Sequence, residues 1–574
     1  MKTFTKYIKP YVGYIVIGIF CIVGDALLEM YLPLLMADIA GKGLEAGSMD
    51  YILRSGFTML GLSMLALLFA VGNTVFSSKA GVGIGGSLRA AVFRKVQTFS
   101  FKNIDDFSVA SLSTRMTNDM NQIQNTLIMG LRMLVRVPIM LTLALVMAIR
   151  LNPGLSRIFY VVVPLLLIAL VSIMPASMPL FTRMQTSVDN VNRTVQENLT
   201  NVRVVKSFVR EEKEKKKFAR VSGELLDTAL KAMNLVIIIS PIMTLLLNGA
   251  IVAVLYIGGN EVINGIGDAA QLTAFINYIM HVLMSIMMVG VLMVMLTRSS
   301  ASFKRVAEVL NTESTIVDKP DALDLDAMKG EIEFKNVDFK YTEGGENVLE
   351  DISFTASPGQ TVAVVGGTGS GKSTLVHLIP RLYDVTGGSV MIDGHDVRNL
   401  SLATLRRHIG VVLQKNTLFS GTIRENLLWG NEDATDEELR EAARCAQIAD
   451  FIEGEPQGYD ERVEQGGTNF SGGQKQRLCI ARAMIKKPSI LIMDDSTSAV
   501  DTATERRIWD SFGASLKNTT TILIAQRISS IMYADKILVL DNGHIVGCGT
   551  HAELMESCPV YQDIYYSQME KEDK

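Results

Sequence analysis

The residues best suited to chemistry form a glycine-rich run in the second half of the chain. This run reads Gly366-Gly367-Thr368-Gly369-Ser370-Gly371-Lys372-Ser373-Thr374 and fits the spacing G-x-x-x-x-G-K followed by Ser or Thr. The β-branched segment 361–365 predicts a strand before the run, and 375–382 predicts a helix after it. In such a loop backbone N–H groups surround phosphates, the lysine reaches the β- and γ-phosphates, and the Ser373 hydroxyl ligates Mg²⁺. The sequence therefore predicts a nucleoside triphosphate site at a helix N-terminus.

Two further elements follow this loop along the chain. The apolar run 490–494 predicts a buried strand that ends in Asp494, which is expected to hold Mg²⁺ through water, because open α/β sheets bind ligands at the carboxyl ends of their strands. A strand ending in Asp is common, and the pattern gains weight from following the loop by about 120 residues. Between the phosphate loop and this strand lies the second element, Ser471-Gly472-Gly473-Gln474. A turn of this kind that opens a helix is either an anion site or a simple helix cap.

Composition divides the 574-residue chain into two parts. Up to about residue 310 it is apolar and rich in Met, Leu and Ile, whereas the remainder carries charges throughout. We predict a membrane domain over 1–315 and a soluble α/β nucleotide-binding domain over 316–574. The net charge of −4, without a basic stripe, gives no indication of a nucleic acid partner. The five cysteines lack the paired spacing of a metal site or a disulfide framework.

Six apolar stretches in the first part are long enough to cross a bilayer. They lie near 11–38, 55–78, 127–149, 158–181, 233–258 and 271–297. Each has about 20 residues or more, the length that a helix needs to cross roughly 30 Å of hydrocarbon. Only a helix satisfies its backbone within one segment there. Lysines precede the first stretch and no cleavage site ends it, so we interpret it as a retained span rather than a signal peptide.

Basic residues predict the orientation of these spans. Lys and Arg are abundant between spans two and three and between spans four and five, and absent from the turn between spans five and six. The positive-inside rule then places both termini and the nucleotide-binding domain in the cytoplasm. Both basic segments are expected to continue as helices into the cytosol, with turning points near 105–110 and 208–213 that rest on the nucleotide-binding domain. The alternative is a pair of solvated loops, which are uncommon at this length.

Ionisable residues inside spans are costly and are therefore functional candidates. Asp25 and Glu29 lie four apart on span one, and Arg132 and Arg136 lie four apart on span three, so each pair shares one helix face. The carboxylates either line a cavity that attracts cationic substrates or neutralise the arginines between helices. We favour the second interpretation, because buried charge is tolerated mainly when it is paired. Two other polar residues are expected to pack or to bond between helices: Asn248 and His281.

With these motifs in place, the chain resembles the ATP-binding cassette (ABC) exporters over nearly its whole length, in the half-transporter layout of a membrane domain followed by a cassette. The most specific marker is the signature at 471–474. The resemblance implies ATP and Mg²⁺ as cofactors and three further site residues. Tyr341 would stack on adenine, Gln414 would touch Mg²⁺ and sense the membrane domain, and Asp501 lies in the loop, 498–501, that would cross a dimer interface.

The resemblance also implies a dimer in which two cassettes close around two ATP molecules. Each ATP would lie between the P-loop of one chain and the signature of the other. The implied activity is export of hydrophobic or amphipathic compounds, drugs among them, across a bacterial plasma membrane by alternating access. Lipid or peptide cargo, or an ATP-gated channel or regulator, are the alternatives.

Two positions depart from the family pattern. The residue after Asp494 is normally Glu, the base for the attacking water, and here it is Asp495. Its carboxylate is set back by about 1.5 Å, and an error near 1 Å can cost about 100-fold in rate. After the strand predicted at 521–525 the family usually has His, and here it is Gln526, which cannot become cationic. Together these changes resemble the degenerate-site subunit of a bacterial heterodimeric multidrug exporter, whose partner has an intact Glu. The alternative is a homodimer with two slow sites.

Overall fold

The computed structural model describes residues 2–45, 47–264, 268–495, 500–525 and 527–572. They form two compact units, one made of 1–97 with 110–312 and the other of 98–109 with 313–574. The short segment 98–109 thus packs with the C-terminal unit, although the chain on both sides of it belongs to the first.

Long helices, most of them apolar over much of their length, make up most of the N-terminal half. The helices are α1 (Lys2–Ile8), α2 (Val12–Asp38), α3 (Met49–Gln97), α4 (Phe101–Phe107), α5 (Val109–Thr114), α6 (Met120–Leu151), α7 (Phe159–Thr200), α8 (Val202–Ser207), α9 (Glu211–Ile237), α10 (Ile239–Ile263) and α11 (Ala269–Asn311). In the described part, six stretches are long and apolar enough to cross a membrane: Phe4–Gly43, Met49–Gln97, Val109–Leu151, Leu155–Thr200, Glu211–Ile263 and Ala269–Asn311. They contain 40 to 53 residues, and at about 1.5 Å per residue all exceed the thickness of the hydrocarbon. The six predicted spans and their helical extensions are confirmed.

The core of the first unit lies where α2, α6, α7, α10 and α11 meet. Met30, Leu166, Phe275 and Tyr278 are fully buried there. The Tyr278 hydroxyl donates a hydrogen bond to the Met30 carbonyl at 2.9 Å, which satisfies a polar group in apolar surroundings. The helices therefore pack as a bundle with its own interior.

Strands dominate the centre of the second unit. They are β1 (Ile332–Phe339), β2 (Leu349–Ala356), β3 (Thr361–Gly366), β4 (Gly387–Ile392), β5 (His395–Asp396), β6 (Ile409–Val412), β7 (Gly421–Thr422), β8 (Arg462–Val463), β9 (Ile490–Asp494), β10 (Thr520–Ile524), β11 (Lys536–Asp541) and β12 (His544–Gly549). One sheet has the order β12-β11-β3-β10-β9-β6 and is parallel except at β12, and an antiparallel sheet has the order β2-β1-β4-β5. The predicted α/β domain is confirmed.

The parallel sheet brings the predicted nucleotide motifs to one edge. Ile524 of β10 is in register with Val364 of β3 on one side and with Asp494 of β9 on the other. The carboxyl ends of these three strands therefore meet, as the sequence predicted for the loop and the acid. Helices cover the sheets: α12 (Lys372–Leu378), α13 (Leu402–His408), α14 (Ile423–Leu428), α15 (Asp436–Cys445), α16 (Ala449–Gly454), α17 (Gly472–Ile485), α18 (Thr502–Ser515), α19 (His551–Ser557) and α20 (Pro559–Glu572).

Helix α4 is the element of 98–109 that packs with the C-terminal unit. Ser100 and Asn103 form a capping box at its start, which fixes where it begins. The Asn103 amide donates to the Glu313 carbonyl at 3.3 Å, and the hydroxyls of Ser100 and Thr315 lie 2.6 Å apart. The predicted turning point at 105–110 thus holds the end of a short helix. The one predicted at 208–213 spans the break between α8 and α9.

Candidate nucleotide site

The predicted phosphate-binding loop connects β3 to α12. The strand ends at Gly366 and the helix begins at Lys372, three residues earlier than the sequence predicted. Gly369 and Gly371 have φ angles of 85° and 96°, in the left-handed region that favours glycine. A Cβ at position 371 would lie 2.7 Å from Leu349 Cδ2. The chain therefore needs glycine there to curl tightly before the helix.

Lys372 is held over the loop that precedes it. Its Nζ donates hydrogen bonds to the carbonyls of Gly366 at 2.9 Å and Gly367 at 2.6 Å. Burial lowers the pKa of Lys372, and the charges of Asp494 and Asp495 oppose this. Carbonyl oxygens are neutral acceptors, so an anion placed over the loop would be a stronger partner for this ammonium group.

Asp494, at the end of β9, lies beside Ser373 at the start of α12. The Ser373 hydroxyl donates to Asp494 Oδ1 at 3.0 Å, and Asp494 is only 3% exposed. Burial raises the pKa of Asp494, opposed by the Ser373 hydrogen bond and by the charges of His377 and Lys372. Carboxylate oxygens are hard ligands of the kind that Mg²⁺ prefers, and the P-loop hydroxyl commonly joins them. This pair therefore fits the predicted cation.

The loop also has room and an unmet polar group for phosphates. The Ser370 hydroxyl is buried and has no hydrogen-bond partner among the described residues. A cavity of about 570 Å³ opens over the loop and is also lined by Gln414, Asp494 and Asp495. A buried hydroxyl is normally satisfied, so its position in this cradle fits a bound phosphate group.

Asp495 has a backbone conformation unlike that of its neighbour. Its φ angle is 48°, its N–H donates to the Ile524 carbonyl at 2.9 Å, and its carbonyl accepts from the Gln476 amide at 3.2 Å. The side chain is 8% exposed, and its Oδ2 lies 3.5 Å from Gln414 Nε2. The structure thus brings the predicted base position and the predicted Mg²⁺-contacting glutamine together.

Tyr341 lies at the other end of the loop. Its hydroxyl is 2.9 Å from the Thr374 hydroxyl, and the ring is 40% exposed. Tyr383 packs edge-on against it, with ring centroids 5.3 Å apart. The Tyr383 hydroxyl in turn donates to Asp105 of α4 at 2.6 Å. A planar ring held between the phosphate loop and a second aromatic is well placed to receive a base.

The signature forms the N-terminus of α17, away from this loop. The Ser471 hydroxyl accepts from the Gln474 N–H at 3.3 Å, and Gln474 Oε1 accepts from the Ser471 N–H at 2.7 Å, which makes a capping box. Ser471 and Gly472 are exposed. The residues thus act as a cap in this chain, and the same geometry leaves them accessible to a second molecule.

The remaining predicted positions follow the ends of β9 and β10. Asp501 caps α18, where its carboxylate accepts from the Thr504 N–H at 2.9 Å. Gln526 lies outside the described residues, and so do residues 498 and 499 of the predicted interface loop.

Both halves of the chain match models of known families. Residues 15–287 match the ABC transporter transmembrane region, and residues 349–498 match the model described as ABC transporter. An uncharacterized ABC transporter ATP-binding protein of Bacillus subtilis (strain 168) is 36% identical over 572 residues, which cover 100% of this chain and 99% of the relative. The chain belongs to the ABC transporter family. It is an exporter-type half-transporter, and its nucleotide-binding domain is that of an ATPase coupled to transport.

Other relatives of this ABC transporter have more specific names. A putative multidrug export ATP-binding/permease protein of Bacillus subtilis (strain 168) is 33% identical, with 98% of each chain covered. An ATP-dependent lipid A-core flippase of Syntrophus aciditrophicus (strain SB) is 34% identical, with 88% of this chain and 83% of the flippase covered. The solved structure of a bacterial Atm1-family ABC exporter with ATP bound has a TM-score of 0.79 at 27% identity, with 98% of each chain covered.

Sequence reasoning missed several residues of the transporter's nucleotide site. Gln476 holds the Asp495 carbonyl, and Val348, Ile564 and Gln568 line the cavity over the loop. None of them stands in a phosphate or metal motif. Gln476 follows the signature by two residues, which is the one signal that could have indicated it.

The transporter's membrane unit pairs its charged residues unequally. Arg136 lies 3.2 Å from Asp25 Oδ2 and 2.6 Å from Glu29 Oε2. Arg132 instead donates to the Thr74 carbonyl at 3.0 Å and to the Ser78 hydroxyl at 2.9 Å. Only one of the two arginines therefore neutralises the carboxylates, because the other turns towards α3. The cluster has two carboxylates for one guanidinium.

Proposed function

We propose that this ABC transporter exports hydrophobic or amphipathic compounds by alternating access, as the heterodimer subunit that carries the hydrolysis-impaired ATP site. The observation that carries the proposal is Asp495. Its backbone is held from both sides by Ile524 and Gln476, so the shorter side chain has little freedom to move towards a phosphate. A carboxylate about 1.5 Å short of its place is expected to reduce hydrolysis about 100-fold.

Binding of ATP is proposed to rely on the residues that match the family. The loop 366–374 would surround the phosphates, and Lys372 would exchange its carbonyl partners for phosphate oxygens. Ser373, Asp494 and Gln414 would hold Mg²⁺, which neutralises phosphate charge when bound. Tyr341 would receive the adenine ring. Retained binding beside weakened hydrolysis is the combination expected of a regulatory site.

The signature supports a role for this chain in its partner's site. Ser471 to Gln474 are exposed or half-buried and intact, and they lie at a helix N-terminus that favours anions. We propose that they complete an ATP site built on the P-loop and the catalytic glutamate of a homologous half-transporter. In a homodimer both sites would instead carry Asp495, and both would be slow.

Coupling to the membrane is proposed to pass through α4. This helix follows the second span, and its Asp105 accepts the hydrogen bond from Tyr383, which contacts Tyr341. A movement of Tyr341 on nucleotide binding would thus reach α4 through the ring and the hydroxyl of Tyr383. We also propose that both termini lie in the cytoplasm, which the basic segments between the spans support.

For the cargo we propose amphipathic compounds, with drugs favoured by the multidrug relative. The surplus carboxylate at Asp25 and Glu29 supports a preference for cations, since an unbalanced charge in a membrane is costly until something neutralises it.

Glu29→Gln should then reduce uptake of a cationic dye into inverted vesicles and leave uptake of a neutral dye unchanged. An equal effect on both dyes would mean that the cluster of Asp25, Glu29 and Arg136 only holds the helices together and does not select the cargo. The lipid A-core flippase relative favours lipid as the second candidate cargo.

The experiment that tests the proposed function compares ATPase rates of this chain alone and in complex with half-transporters that carry the catalytic glutamate. We expect the chain alone to be nearly inactive and the correct pair to be active. Replacing the partner's glutamate with glutamine should abolish turnover. An active homodimer that Asp495→Asn stops would overturn the heterodimer and make Asp495 a working base.

A further inference from the structure

The C-terminal helix reaches the nucleotide cavity, although it follows the phosphate loop by almost 200 residues. Helix α20 spans Pro559–Glu572. Its residues Ile564 and Gln568 are four apart, hence on one face. Both line the cavity that Lys372, Asp494 and Asp495 also line.

Gln568 makes a defined contact at this place. Its Oε1 accepts a hydrogen bond from the backbone N–H of Ile528 at 2.8 Å. Ile528 opens a short 3₁₀ turn, Ile528–Ser530, whose own N-cap residue, Arg527, provides no side-chain cap. The first N–H groups of a helical turn lack partners within the turn. Gln568 therefore caps this turn from a distant part of the chain.

The loop that Gln568 holds is the one that leaves β10 beside the phosphate site. The Ile524 carbonyl, at the end of β10, accepts the hydrogen bond from the Asp495 N–H, and Ile528 is buried in the core at 1% exposure. Ile524 also lines the cavity, together with Lys372 and Asp494. The turn that Gln568 caps therefore begins four residues after a cavity-lining residue that also holds the Asp495 backbone.

Helix α20 is a fixed part of the domain and not a loose tail. Tyr561 is fully buried, and its hydroxyl lies 2.7 Å from His551 Nδ1. The Gln562 amide donates to the Met555 carbonyl at 2.7 Å. Because the start of the helix is anchored in this way, the position of Gln568 two turns later is set by a rigid element.

We infer that Gln568 is a positioning residue of the ATP site, which holds the turn after β10 beside the cavity that receives the nucleotide. This inference rests on the proposed nucleotide site. Gln568 acts through the backbone of Ile528, and Ile564 closes the cavity wall beside it. The C-terminal helix thereby gives the site a contact that none of the family motifs contains.

The test is nucleotide binding to the full-length transporter with fluorescent ATP and ADP analogues. Gln568→Met keeps the volume of the side chain and removes the acceptor. Loss of this hydrogen bond should weaken the binding of both nucleotides about 5-fold. Gln562→Met is the matched control on the same helix, because its amide bonds Met555 away from the cavity. It should leave both affinities at the wild-type value.

The melting temperature separates positioning from general damage. If Gln568→Met and Gln562→Met lower both the melting temperature and the two affinities alike, α20 is only a structural support and the inference is wrong. Unchanged ATP binding in Gln568→Met also overturns it. If instead the wild-type chain binds neither nucleotide, the proposed site itself fails, which is a different outcome from ATP binding that ignores Gln568.

Discussion

The two sides of the nucleotide site are built in different ways. On the phosphate side, Lys372, Ser373 and Asp494 bond to groups within the site itself, through contacts of 2.6 to 3.0 Å. On the other side, at the position of the proposed catalytic base, Asp495 is held through its backbone by Ile524 and Gln476. Its side chain is one methylene shorter than that of glutamate. Adjacent residues at one strand end are thus held by different partners. Binding of ATP and its hydrolysis are therefore expected to respond separately to mutation.

The largest effect is expected on the phosphate side. Lys372→Ala removes a half-buried ammonium group and should weaken ATP binding by about 100-fold, since hydrogen bonds to charged groups are the strong ones. Binding of a fluorescent ATP analogue to the purified transporter measures this. Lys517→Ala, at an exposed lysine of the same domain, is the control. Equal losses in both variants would contradict the assignment of Lys372.

Asp495→Glu tests whether the length of the acid at the proposed catalytic-base position limits hydrolysis. With the longer acid in place, hydrolysis at this site should rise by up to about 100-fold, while the affinity for ATP stays the same. The rate is read in a complex whose partner has glutamine in place of its catalytic glutamate, so that only this site turns over. Asp495→Asn should remain at the low wild-type rate. If the rate of hydrolysis does not rise in Asp495→Glu, another residue limits that rate, and position 526 is the next to substitute.

Ser471→Ala tests the signature, which each chain is proposed to contribute to the nucleotide site of its partner. It should lower the ATPase rate of the pair about 10-fold by removing a donor to the partner's nucleotide. The lost cap should also reduce the free energy of unfolding by about 1 kcal/mol. Thr550→Ala removes a capping box of the same kind from α19 and should cost similar stability without the loss of rate. Matching losses of rate would mean that Ser471 is only a cap.

The smallest effect is expected at the contact between α4 and the cassette. Tyr383→Phe keeps the ring against Tyr341 and removes the hydrogen bond to Asp105. Substrate stimulation of the ATPase should fall about 5-fold, with the basal rate unchanged, because a net hydrogen bond is worth about 1 kcal/mol. Tyr459→Phe is the control, since the Tyr459 hydroxyl is buried without a hydrogen-bond partner among the described residues. Full stimulation in Tyr383→Phe would show that coupling takes another route.

Much of the site could be predicted because phosphate binding needs contiguous backbone. The P-loop, the strand ending at Asp494 and the six spans are each a local pattern, and the structure places all of them where the sequence indicated. The start of α12 was predicted three residues late because Lys372, Ser373 and Thr374 belong to the motif and to the helix at once. The arginines could not be separated, since positions four apart share a face and only the neighbouring helix decides which one meets a carboxylate.

The sequence by itself indicated the chemistry proposed for this transporter: a phosphate loop, an acid proposed to bind Mg²⁺, a shortened acid at the proposed base position, a signature and six apolar spans. The tertiary structure alone decided which distant groups complete that chemistry. It brought Gln568 to the turn after β10, Gln476 to the Asp495 carbonyl and α4 to Tyr383. Local patterns record what neighbouring residues need from each other, whereas these contacts join segments that only packing brings within hydrogen-bond distance.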